Sequence, residues 1–150
     1  MKTQSFVRAI GAGLAGTVAM TAFSLMGPLM GMPKMSAPAM LSGFMGVPAF
    51  VGWLAHLMIG SVLALLYVYV FVEKLPGKPW VKGALYGLAP WFLLQVMVNP
   101  IMGAGVFALK TEAPMLMIVG SLMGHLVYGA VLGAVYGSRN GAATFPVPQQ

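Results

Sequence analysis

Four long apolar runs constrain this chain more than anything else in it. They extend from about Phe6 to Pro28, Phe50 to Val72, Trp80 to Asn99-Pro100, and Pro114 to Gly137. Each is about 20 residues long, the length a helix needs to cross a hydrocarbon core. Backbone placed in lipid must satisfy its own polar groups, so such runs fold as helices. Charged residues make up only 7% of the 150 residues, against the roughly 25% of a soluble domain. So few charges do not cover a water-exposed surface. The expected fold is an all-α membrane protein with four transmembrane helices.

The connections carry most of the charge. A loop from about Leu29 to Ala49, broken by Pro33, Pro38 and Pro48, holds Met30, Met32, Met35, Met40 and Met45. Glu73-Lys74 and Pro76-Gly77-Lys78-Pro79 form a polar turn, and a short loop holds Lys110 and Glu112. Pro90 is expected to kink the third span. Residues 138–150 have no periodic apolar face and read as a disordered cytoplasmic tail. The first span, after Lys2 and Arg8, also has the look of a signal peptide with Ala37-Pro38-Ala39 as its cleavage site. Its length and its later counterpart favour a retained span.

Lys2, Arg8, Lys74, Lys78, Lys82 and Arg139 fall on one side of the four spans, and Lys34 and Lys110 on the other. By the positive-inside rule both termini face the cytoplasm, across a bacterial inner membrane, and the methionine-rich loop faces outward. The formal charge of +6 is scattered between apolar runs. It makes no basic stripe with polar or aromatic readers, so nucleic acid is not an expected partner. The expected partners are lipid, like chains in a homo-oligomer, or a larger membrane complex.

The halves echo each other. His56-Leu-Met-Ile-Gly60-Ser-Val-Leu-Ala64-Leu-Leu-Tyr67 recurs 69 residues later as His125-Leu-Val-Tyr-Gly129-Ala-Val-Leu-Gly133-Ala-Val-Tyr136, with six of twelve positions identical. Pro28-Leu-Met-Gly31 recurs as Pro100-Ile-Met-Gly103. The expected organisation is therefore two tandem same-orientation helical hairpins, about 6–72 and about 79–137, forming one domain over 1–137. Such repeats are related by an axis along the membrane normal. Residues four apart share a helix face. Gly52, His56, Gly60 and Ala64 thus form one stripe, and Ser121, His125, Gly129, Gly133 and Gly137 its counterpart. The two imidazoles are expected at matching depth, facing each other inside the bundle.

An imidazole within a bilayer faces the bundle interior and finds a partner. The plainest reading is a hydrogen bond across the helix interface, to a carbonyl or to Ser61, Asn99 or Ser121. A second is a bis-histidine b-type haem between spans two and four, with His56 and His125 as axial ligands and a flat slot beside Gly60, Gly129 and Gly133. A third uses methionine thioethers, Met30, Met32 and Met35, as soft ligands for Cu(I). Two histidines without an intramembrane carboxylate do not make a closed zinc site. Cysteine is absent, which removes disulfides and thiolate chemistry. The only acids, Glu73 and Glu112, lie at opposite membrane surfaces and cannot form an acid/base pair across about 30 Å. No enzyme is expected.

Three stretches carry a resemblance: Gly13-Leu-Ala-Gly16-Thr-Val-Ala-Met20, Gly52-Trp-Leu-Ala-His56-Leu-Met-Ile-Gly60 and His125-Leu-Val-Tyr-Gly129-Ala-Val-Leu-Gly133. In these the chain resembles the YagU-like family of small four-span bacterial inner-membrane proteins of uncharacterised function. The resemblance implies topology and location, and no catalytic role. The resulting expectation is a non-enzymatic accessory or interaction subunit without a cofactor. The alternatives are a haem b electron carrier and a transport component for a small solute or Cu(I).

Overall fold

The computed structural model describes residues 2–137, with side chains described for residues 5–29 and 31–137. The tail expected to be disordered, 138–150, lies outside the described residues. Among the described residues every regular element is helical: α1 (Lys2–Met26), α2 (Ala37–Met45), α3 (Ala49–Leu66), α4 (Pro79–Leu93) and α5 (Pro114–Tyr136). Wider π turns extend α3 over Tyr67–Phe71 and α4 over Leu94–Val98. Four helical stretches, Ser5–Leu29, Ala49–Phe71, Pro79–Ile101 and Pro114–Tyr136, are long and apolar enough to cross a membrane.

Segment 29–49, expected to be a loop, contains α2. Three proline breaks suggested irregular chain, yet Pro38 lies in the first helical turn. There its missing N–H removes no intrahelical hydrogen bond. Ser36 caps the helix, its Oγ accepting from the Ala39 N–H at 3.4 Å, and Gly46 ends it at φ 65°. The short helix lies on α3, where Gly52 lets the Pro38 carbonyl approach its backbone.

The helices pair through glycines. α1 packs against both α3 and α5, while α4 packs against α5. On α3, Gly60 receives the Thr17 side chain of α1, and a Cβ on Gly13 would stand 2.6 Å from Ala64 Cβ. On the other pair, Gly83 of α4 lies against the Gly129 carbonyl, Gly87 against the His125 carbonyl, and Gly133 against the Pro79 carbonyl. Only residues without side chains permit so close an approach.

The third span carries Pro90 inside its helix and continues through it. Pro90 cannot donate to the preceding turn. The helix then widens, with the Asn99 N–H reaching the Leu94 carbonyl. In the following turn Phe107 and Ala108 have φ of 51° and 53°, uncommon for residues with side chains.

The core fills one end of the bundle. Ala9, Ala12, Ala64, Tyr67, Val68, Val72, Tyr86, Tyr128, Leu132 and Tyr136 form one buried cluster. The Tyr67 ring lies 5.2 Å from Tyr86 and 6.5 Å from Tyr136, within range for aromatic pairing. Arg8 stacks over Tyr136, and Lys82 Nζ donates to the Val72 carbonyl at 3.0 Å. The α2 end is packed less tightly, and the candidate site lies there.

Candidate functional site, a cavity with two histidines

A cavity of about 220 Å³ lies between the helices on the α2 side of the tyrosine cluster. Ala37, Met40 and Leu41 line it from α2; Met102 and Ala108 come from the turn after the third span. Gly60, Leu63 and Tyr128 border it toward the core. His56 and His125 both line it, so the two histidines border one pocket between the helices, and His56 is only 8% exposed. Except for the histidines and a few hydroxyl and amide groups the wall is apolar. The volume falls below the roughly 300–1,000 Å³ of a drug-sized pocket and suits a small ligand or ion.

Each imidazole makes one hydrogen bond, and its tautomer is assigned from that bond's partner. Thr21 Oγ1 donates its proton to the Thr17 carbonyl at 2.8 Å. It can therefore only accept in its 3.1 Å contact with His56 Nε2, so His56 Nε2 carries the proton. His125 Nδ1 lies 2.8 Å from the Ser121 carbonyl, which also can only accept, so here Nδ1 is the N–H. In the neutral rings the lone pairs remain on His56 Nδ1 and His125 Nε2. Neither nitrogen has a hydrogen-bond partner among the described residues.

The partners differ from those expected. The histidines were assigned a carbonyl, Ser61, Asn99 or Ser121 across an interface. His125 does bond a carbonyl, but one turn back in its own helix. The cross-helix partner of His56 is Thr21 of α1. Ser61 donates to the Leu57 carbonyl instead, and Asn99 is occupied with Gln95. Helices usually satisfy intramembrane hydroxyls by such local bonds to the preceding turn.

A polar chain supports His125. Asn99 Nδ2 donates to Gln95 Oε1 at 2.7 Å, and Gln95 Nε2 donates to Ser121 Oγ at 2.9 Å. Ser121 Oγ in turn donates to the Ile118 carbonyl at 2.9 Å. Tyr128 Oη donates to the Gly60 carbonyl at 2.6 Å and ties α5 to α3 beside the cavity. Thr17, Thr21, Gln95 and Tyr128 were not among the residues singled out from sequence. The spacing Thr17–Thr21–Ser24 and the pair Gln95–Asn99 were the available signals, since residues three or four apart line one face.

The flat slot expected beside the glycines is filled. Gly129 and Gly133 are covered by the α4 backbone, and Gly60 by Thr17. The glycine faces of spans two and four are thus occupied by neighbouring helices and leave no flat slot beside them. The methionine set is partly assembled. Met30's side chain lies outside the described residues, whereas Met32 and Met35 converge over Gly120, their sulfurs 3.4 and 3.1 Å from where a Cβ would stand. Among the described residues no cluster of three His, Cys, Asp or Glu could hold a metal.

Fold and site together define a class: an all-helical chain with four span-length helices around an apolar cavity with two imidazoles. The chain belongs to DUF6789, a family of unknown function, whose match covers residues 3–147. Neither the search of curated proteins nor that of solved structures found a match.

Proposed function

We propose that this chain is a non-enzymatic integral membrane protein, an accessory subunit that binds a small ligand in the cavity between its helices. The observation that supports this is the pair of imidazoles, each with one nitrogen occupied by the protein and one lone pair unengaged, bordering a single pocket. Two lone pairs select ligands that present donors: a hydroxyl, an N–H or a cation. They do not complement a carbonyl, which can only accept.

The non-catalytic reading has support from the polar groups. Among the described residues no acid lines the cavity, and the Ser121 hydroxyl already donates to Ile118 and accepts from Gln95, with no carboxylate beside it to act as a base. The two-hairpin repeat has support from the pairing of Gly13 with Gly60 and Ala64, and of Gly83 with Gly129 and Gly133. The distribution of lysine and arginine supports a bacterial cytoplasmic membrane with both termini inside. The YagU-like kinship, and assembly with like chains or a larger complex, belong to the same proposal.

A test uses the full chain in lipid nanodiscs with ¹⁵N-labelled histidine and p-cresol, a small apolar molecule with one hydroxyl donor. Saturable shifts at the unprotonated nitrogens of His56 and His125 are expected, and in each single variant, His56→Ala or His125→Ala, the shift of the remaining histidine should need more p-cresol. Unchanged histidine signals at saturating p-cresol, in a folded protein, count against the cavity as a binding site.

A further inference from the structure

We infer that the cavity holds a monovalent soft cation of the Cu(I) class, with His56 Nδ1 and the thioethers of Met20 and Met35 as its ligands. This rests on the ligand-binding reading above and narrows it. His56, Met20 and Met35 share the main cavity and also a small side crevice of about 10 Å³. His56 Nε2–H is held by Thr21, which leaves Nδ1 with the lone pair that a metal requires. Two glycines of α5, one turn apart, seat the thioethers. A Cβ on Gly120 would stand 3.1 Å from the Met35 sulfur and 3.4 Å from that of Met32. One on Gly124 would stand 3.5 Å from the Met20 side chain.

The donor set decides the ion. Thioether and imidazole are soft and borderline ligands, suited to Cu(I) and poorly suited to Mg²⁺, Ca²⁺ or Mn²⁺. Every proposed ligand is neutral, and among the described residues no carboxylate lines the cavity. A buried divalent ion would thus keep its full charge in a low dielectric, whereas a monovalent ion carries a far smaller desolvation cost. Binding needs no redox step or proton release, because each ligand already presents a lone pair.

The experiment titrates the full chain in nanodiscs with Ag(I), a redox-inert stand-in, and repeats it with Cu(I) under a reductant. X-ray absorption reads the ligands. The expected result is one ion per chain, with sulfur and nitrogen both in the coordination sphere. Affinity should fall more than about 100-fold in M20L/M35L, beyond the loss of an outer-shell partner. Leucine conserves volume at both positions, so the variant should fold and still bind p-cresol. Equal affinity in M20L/M35L, or a coordination sphere without sulfur, overturns the inference. If p-cresol binds the wild type and Ag(I) does not, only the metal assignment falls. If neither binds, the cavity reading fails with it.

Discussion

Gly83→Ala is the sharpest test of how the bundle is held together. A Cβ at this position would overlap the Gly129 carbonyl oxygen and stand 2.8 Å from both the Gly129 carbonyl carbon and the Gly133 nitrogen. Those atoms are backbone, so no side chain can swing aside. α4 and α5 must separate by roughly 1 Å to restore ordinary contact, and dispersion is lost along the seam, because small radial gaps forfeit a quarter to a half of the contact energy. Overpacking of this kind costs about 1–3 kcal/mol. Gly11→Ala is the control. Nothing lies within 4 Å of its Cβ position, so the substitution removes only glycine's helix penalty and should stabilise by up to about 1 kcal/mol. Reversible unfolding of both variants in the same detergent micelles gives the comparison. Both variants gain the same helix propensity, so Gly83→Ala is expected to fall about 1–3 kcal/mol below Gly11→Ala. Equal stabilities would refute glycine-mediated contact between α4 and α5.

The tyrosines separate a satisfied hydroxyl from an orphaned one. Tyr128→Phe removes the bond to the Gly60 carbonyl and should cost roughly 0.6–1.7 kcal/mol in unfolding assays. Tyr67→Phe removes a buried hydroxyl without a hydrogen-bond partner among the described residues, and should be neutral or stabilising in the same assay. Gln95→Leu strands Asn99 and Ser121 and should destabilise by about 1–3 kcal/mol, while Gln95→Leu combined with Asn99→Leu and Ser121→Ala should recover much of the loss. Thr21→Val leaves the buried His56 Nε2–H without its acceptor and should destabilise by about 1–3 kcal/mol. It should weaken p-cresol and Ag(I) binding, read by titration, because the ring loses the bond that fixes its lone pair.

Much of this architecture was legible because lipid simplifies the problem. Apolar runs of the right length become helices with few alternatives, and all four spans fall close to the expected positions. The histidines and the glycine stripes were legible through their spacing. What the spacing did not reveal was which helix each stripe would face. The stripes of α3 and α5 were expected to flank a shared slot, but Gly60 meets α1 while Gly129 and Gly133 meet α4. A smooth helix face binds any close neighbour, so the glycine pattern alone does not choose the partner. Helix α2 was missed because prolines signal breaks, although in a first turn they cost nothing. Thr21 escaped notice because a single threonine in an apolar span more often bonds its own helix. Here it does so and accepts from His56 as well.

The tautomers of the two histidines test the central claim most directly. In nitrogen NMR of histidine-labelled protein without ligand, His56 should show a proton on Nε2 and a bare Nδ1, and His125 the opposite arrangement. Two rings in the same tautomer would put one lone pair on the nitrogen assigned to the protein's own hydrogen bond, and rings with both nitrogens protonated would have no lone pair at all; either result contradicts the account.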